Sequence, residues 1–429
     1  MIDKLIEKFR SEDVIRLVKN FISLSVLQGM NYILPLITLP YIARVLGPEK
    51  NGLIGFATAF IGYFNIFTDY GFNLSATRDV SINRNDKKKL SEIFSSVMII
   101  KTGLAVVSFI IMCTAVFSLS FFRADAVVYL AAFGIVVGNM LFPVWLFQGI
   151  EDMKYITCLN LAGRGIVTVM VFFVVKNEKD FISLILLNGI STIGIGIASL
   201  LIVFKKFKVR FILPSFEEIK NQLIEGWYIF ISSIGIVLYT SSAAFILGLF
   251  ANKTIVGYYV QADKIRQAIQ GLFTPVFQAL YPYVNKVAHE SSDKALAFIK
   301  KEIIYIGGIG LAICLVVFAN AELLVNLILG PRYSNSVPIF KVMAFTPIMV
   351  LMGNIFTIQG LLPFGFKKLY SKIYISSSTA GMLLMLILTY LYSSVGMACS
   401  VLFIEASVVV LTLYKMKADR ISLFARTRI

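Results

Sequence analysis

Histidine and cysteine, on which much enzyme chemistry depends, are nearly missing from this chain. Its 429 residues include one histidine, His289, and four cysteines. A histidine-based nucleophile relay and a histidine-ligated metal are both excluded, since each needs partners that a lone histidine in a polar connection does not have. Cys113, Cys158, Cys314 and Cys399 lie in or beside apolar stretches, with neither CxxC nor metal-ligand spacing, and read as small core residues. No nucleophile or carboxylate-metal motif appears, and no polar connection exceeds about 20 residues. A glycosyltransferase or polymerase, which needs a soluble catalytic domain or a long outer loop, is thereby excluded. No cofactor is expected.

Charge is equally scarce. Soluble domains average about 25% charged residues, whereas this chain has 15%, against 58% hydrophobic residues. Crossing a bilayer core of ~30 Å takes about 20 apolar residues per helix, and runs of that length recur along the whole chain. Twelve are expected, over approximately 19–43, 51–69, 94–119, 126–148, 156–175, 181–204, 223–250, 255–284, 302–329, 335–361, 370–392 and 395–415. Such unbroken runs exclude an outer-membrane barrel, whose strands alternate over about 10 residues. Residues 1–18 read as an amphipathic interfacial helix, with Ile2, Leu5, Ile6 and Phe9 on one face.

Lysine and arginine in short loops are retained in the cytoplasm. With a cytoplasmic N-terminus, 28 of the 40 basic residues fall on the cytoplasmic side and seven on the other. That asymmetry places both termini in the cytoplasm. It also absorbs most of the +16 net charge, so the charge implies no nucleic acid. Five basic residues remain inside spans: Lys101, Arg164, Lys264, Arg266 and Lys341.

The chain repeats itself. GPEKNGLIGF (47–56) follows the first expected helix and LFANKTIVGY (249–258) the seventh, which superposes LIGF on IVGY. WLFQGIEDMKYI (145–156) parallels FTIQGLLPFGFKKLY (356–370), with Gln148-Gly149 over Gln359-Gly360. The layout is therefore six plus six, an all-α integral membrane protein with twelve transmembrane helices in two six-helix bundles around a central cleft. The lobes are 19–204 and 223–415, joined by a cytoplasmic linker over 205–222 and followed by a basic tail over 416–429.

Polar residues fall in stripes at helical spacing. In the eighth span Asp263, Arg266, Gln267, Gln270, Thr274 and Gln278 share a face; elsewhere Gln28 and Asn31, Asn65 and Asp69, and Asn160 and Arg164 do the same. Arg266 lies about 15 Å from the outer start of its helix, near the midplane. Charge at that depth costs roughly 2.5–3.5 kcal/mol on insertion scales and marks function. Asp263 and Arg266, three apart, can instead neutralise each other. Lys264 and Glu405 are candidate partners across the cleft, with Glu405 alternatively a proton or sodium site. Lys101 and Lys341 are close enough to helix ends to snorkel, and Asp69 is expected to be solvated. Pro35, Pro40, Pro143, Pro275, Pro282 and Pro347 offer kinks that can act as hinges.

LPYIARVLGPEKNGLIGFA (39–57), DYGFNLSATRDVS (69–81), WLFQGIEDMKYI (145–156), VGYYVQADKI (256–265) and ILGPRYSNSVPIFKVMAF (328–345) together resemble the Wzx-type polysaccharide flippases. These belong to the multidrug/oligosaccharidyl-lipid/polysaccharide exporter superfamily. The resemblance implies a flippase moving undecaprenyl-diphosphate-linked oligosaccharide repeat units to the periplasmic leaflet by alternating access. It implies a bacterial inner-membrane location, H+ or Na+ as candidate coupling ions, and polysaccharide polymerase and chain-length proteins as candidate partners. Carried onto this chain, it makes Lys264, Arg266 and Arg164 diphosphate contacts and Gln28, Asn31, Asn65, Gln267 and Gln270 sugar contacts. Arg78 becomes a gate contact, and Asp69, Asp263 and Glu405 gate or coupling groups. The rival readings are a peptidoglycan-precursor flippase, which shares the lipid diphosphate, and a multidrug or cation antiporter. The antiporter would line its cavity with carboxylates, and the first span has none.

Overall fold

A computed structural model describes the backbone of residues 12–240 and 242–418. Side chains are described there except at 12–28, 30–33, 228, 232–240, 278, 279, 282 and 418. Residues 1–11 of the expected interfacial helix, most of the basic tail and the side chains of Gln28, Asn31 and Gln278 therefore lie outside the described residues.

Every element among the described residues is helical. α1 (Glu12–Asp69) runs through two expected spans and is interrupted at Gly47, whose φ of 67° is a conformation glycine adopts without a Cβ clash. α2 (Phe72–Ile82) leads to α3 (Lys87–Ser118). The latter starts at Asp86, whose carboxylate accepts the backbone N–H groups of Lys88 and Lys89 at 2.9 and 3.0 Å. The next crossing is assembled from α5 (Ala126–Ala132), α6 (Gly134–Leu141) and α7 (Val144–Gly149), after a short α4 (Ser120–Arg123). α8 (Lys154–Val174) and α9 (Phe181–Lys205) follow.

Beyond the linker come α10 (Phe216–Thr240), α11 (Ser242–Phe250), α12 (Lys253–Gly271) and α13 (Thr274–Glu290). α14 (Ser292–Ala319), α15 (Ala321–Ile328), α16 (Ser336–Met343) and α17 (Thr346–Gly353) lead into a π-helix, Asn354–Gln359. α18 (Lys367–Ala418) breaks at Ser393, φ 53°, between the last two expected spans. Pro143 stands between α6 and α7, and Pro275 and Pro347 open α13 and α17, where a missing backbone donor costs least. α1 passes Pro35 and Pro40 without non-helical backbone, so those two are not breaks.

Seven stretches among the described residues are long and apolar enough to cross a membrane. The longest, Lys367–Lys417, holds the last two expected spans, and the others not among the seven fall on α1 and α10–α13. Large apolar side chains stand exposed in rows, as with Phe109, Ile110 and Ile111 on α3 and Phe172 and Phe173 on α8. Such surfaces suit lipid and not water. The protein is an all-α, multi-pass membrane protein.

The chain forms two compact units, Met1–Thr38 with Ala57–Leu238, and Leu39–Phe56 with Tyr239–Ile429. The core of the first is aromatic: Phe72, Phe94, Trp145 and Phe147 are fully enclosed. α2 and α7 approach closely there, for a Cβ on Gly149 would lie 2.5 Å from Val80. The core of the second unit gathers Ile299, Leu351, Ile355, Phe356 and Val408. Within that unit Gly52 of α1 meets Gly257 of α12. A Cβ on Gly52 would fall 1.7 Å from the Lys253 carbonyl oxygen, and one on Gly257 1.9 Å from that of Pro48. The two repeat-matched stretches thus pack directly on each other. Beside them Asn51 donates to the Gly47 carbonyl at 2.8 Å and to Tyr333 Oη at 3.0 Å, and accepts from Gln261 Nε2 at 2.5 Å, all three side chains buried.

Candidate functional site

Two groups of expected polar residues stand out among the described residues, one in each unit. In the first unit a cavity of about 360 Å³ opens between the end of α1, α3 and α6. Its polar lining is Asn65, Thr68, Asp69, Asn73, Lys101 and Asn139. Lys101 Nζ stands 3.4 Å from Asp69 Oδ1. Asn73 donates to the other Asp69 oxygen at 2.9 Å, and Asn139 donates to Asn65 Oδ1 at 3.0 Å. The expectation that Lys101 snorkels is overturned: only 4% of its side chain is exposed, against 30% for Asp69. Asp69 is correspondingly paired, not simply solvated. Lys341, by contrast, is exposed on α16.

The second place is α12, which starts where Asn252 accepts the Ile255 N–H at 2.9 Å. Two turns in, buried Val256, Gly257 and Tyr259 give way to the polar face. Arg266 Nε donates to Asp263 Oδ1 at 2.6 Å and its Nη1 to Gln270 Oε1 at 2.5 Å; Gln267 Nε2 donates to Asp263 Oδ2 at 2.7 Å. The internal pair between Asp263 and Arg266 is therefore formed, and both carboxylate oxygens are occupied. Glu405 of α18 is near enough to act electrostatically on Arg266. Lys264 points elsewhere: it is exposed and makes no hydrogen bond or ion pair among the described residues. Its electrostatic neighbour is Asp263, so the alternative of Glu405 as its partner is not what the helix shows.

The remaining expected residues are separate from these groups. Arg164 is exposed on α8, outside the cavity lining. Arg78 is exposed on α2, one position before Asp79, which accepts from Gln222 Nε2 at 2.8 Å. Asn65 belongs to the cavity, and Gln267 and Gln270 to the α12 face. Sequence reasoning passed over Asn73, Asn139 and the burial of Lys101. The first two could have been noticed as amides one turn from Asp69 and within an apolar span.

The cavity is neutral overall and rich in amides, and α12 carries a neutralised pair on its polar face and one exposed cation away from it. Such an arrangement can hold hydroxyl-bearing and anionic groups without cofactor chemistry. The sequence matches the family described as polysaccharide biosynthesis protein over residues 17–288. The chain belongs to that family. It is similar to the "Putative O-antigen transporter" of Escherichia coli K12, 32% identical over 403 residues, covering 94% of this chain and 97% of the relative. It is similar too to the protein of that name in Shigella dysenteriae, at 28% over 402 residues, covering 93% and 100%. Among solved structures, a multidrug resistance MATE family transporter of the MOP superfamily, inward-facing, aligns with TM-score 0.71 at 16% identity, covering 96% of this chain and all of that one. Lipid II flippase MurJ, in an inward closed conformation, aligns with TM-score 0.68 at 12% identity, covering 92% and 87%. These two likenesses establish the fold. The chain is a membrane transporter of the polysaccharide biosynthesis family and not an enzyme.

Proposed function

We propose that the protein is a flippase for lipid-linked oligosaccharide, carrying undecaprenyl-diphosphate-linked repeat units from the cytoplasmic to the outer leaflet of the bacterial inner membrane by alternating access. The observation that carries this reading is Lys264, a cation exposed on a membrane-length helix with no ion pair among the described residues. A diphosphate needs charge-assisted donors, and Lys264 supplies one without having to leave a partner. Arg266 is held by Asp263 and Gln270 and contributes by exchanging the carboxylate for the phosphate. Gln267 offers a partner for sugar hydroxyls. In this reading the repeat-defined lobes are 19–204 and 223–415, although residues 39–56 pack with the second compact unit, and both termini are cytoplasmic. The names of the curated relatives, which speak of O-antigen transport, support the substrate class.

The test is complementation of a strain lacking this transporter. Lys264→Ala should abolish surface polysaccharide at unchanged protein level in the membrane, and Arg266→Ala should reduce it. Wild-type output from Lys264→Ala removes the lysine from the account.

A further inference from the structure

α14 carries a carboxyl group that belongs to neither polar site. Glu302 lies ten residues beyond Ser292, roughly 15 Å along the helix, and is 4% exposed. Among the described residues it forms no ion pair, and its one polar partner is Gln359, the last residue of the π-helix, itself buried. With its amide turned to donate, Gln359 Nε2 stands 2.9 Å from Glu302 Oε1 and also contacts Oε2.

An amide differs from a cation as the sole partner of a buried carboxyl. Lysine or arginine beside it would favour the ionised form alone. A primary amide serves both forms: its NH2 donates to a carboxylate, and after a half-turn its carbonyl accepts from the protonated acid. The pair stays hydrogen-bonded in either state, and only the amide orientation changes. The setting adds to this, because π-helical turns are frequent at functional sites. The matched glutamine of the first unit is different. Gln148 lies against the Thr77 hydroxyl at 3.4 Å, and among the described residues no carboxyl is hydrogen-bonded to it.

The elements packed on α14 leave Glu302 to its amide. α17 and the π-helix have no ionisable side chain. α13 brings Tyr281, Tyr283, Lys286, His289 and Glu290, α15 Glu322 and α16 Lys341, while Tyr370 and Tyr374 of α18 border the same core. On its own helix Lys300, Lys301 and Tyr305 are nearest in sequence. None of them forms a hydrogen bond or ion pair with Glu302 among the described residues.

We propose that Glu302 and Gln359 form a proton-binding site in the second unit that couples a proton gradient to transport. The proton enters from water onto a Glu302 oxygen, the amide turns to accept it, and loss of the proton reverses both changes. The coupling half rests on the transport reading above; the binding half does not.

Infrared difference spectroscopy on the full-length protein in lipid, taken between alkaline and mildly acidic buffer, tests the site. A protonated-carboxyl band is expected in the wild type, absent from Glu302→Gln and shifted in Gln359→Met. Identical spectra for wild type and Glu302→Gln overturn the site. Coupling is read in vesicles as the response of lipid-linked oligosaccharide flux to an imposed pH gradient, which Glu302→Gln should lose; a retained response overturns it. If no oligosaccharide moves in wild-type vesicles, the transport reading fails while the infrared comparison still decides the site.

Discussion

The ammonium of Lys101 lies 3.4 Å from the Asp69 carboxylate, with the lysine enclosed and the aspartate reaching the cavity. The two partners are unequal, and so are their deletions. Asp69→Ala strands an ammonium in the interior, at about 3 kcal/mol. Lys101→Met leaves a carboxylate that still has Asn73 and access to the cavity, and should cost under about 1 kcal/mol. Thermal unfolding in detergent should therefore rank Lys101→Met above Asp69→Ala, and the reverse order contradicts the pairing.

At Lys264 the expected dependence is on charge, not shape. Lys264→Arg keeps a cation and should retain most export, whereas Lys264→Gln loses a charge-assisted contact. That loss is roughly ten- to hundredfold in export rate. Equal export from the two variants, measured as surface polysaccharide per membrane-inserted protein, would argue against a phosphate contact.

Gly52 and Gly257 bring α1 and α12 so close that backbone, not side chain, receives any added atom. Gly257→Leu should cost more than about 3 kcal/mol by overpacking. Gly62→Ala, with nothing within 4 Å of its Cβ, should stay within about 0.5 kcal/mol of wild type. Comparable losses for both would show that the close approach is absent.

Glu218, at the start of α10 ahead of the expected span, has its carboxyl held below the ordinary carboxylate range. The Ser215 backbone N–H donating at 2.9 Å is the first cause. A depressed folded-state value means the stabilisation is present at neutral pH and lost as acid protonates the group. Replacing it by Gln should flatten the acid limb of the stability curve slightly, since the side chain is about one-third exposed. An unchanged acid limb in Glu218→Gln removes the contribution.

Much of the fold was legible because lipid imposes long apolar runs. The breaks at Gly47 and Ser393 fall between expected spans, and the aromatic stretch WLFQG is the core of its unit. Less was legible at the sites. Helical spacing groups residues on a face but does not say whether that face is buried, so Lys101, a few residues from a helix end, passed for a snorkelling lysine. Glu302 opens the expected span 302–329 beside Lys300 and Lys301, and nothing in that local sequence shows that its carboxyl is enclosed. The contact of Asn51 with Gln261 joins positions 210 apart, and nothing local in the sequence announces it.

The measurement that bears most directly on the account is flux in vesicles containing the purified protein, with an undecaprenyl-diphosphate-linked oligosaccharide compared against an organic cation. The account predicts movement of the lipid-linked sugar, lost in Lys264→Ala, and none of the cation. Movement of the cation alone would contradict it.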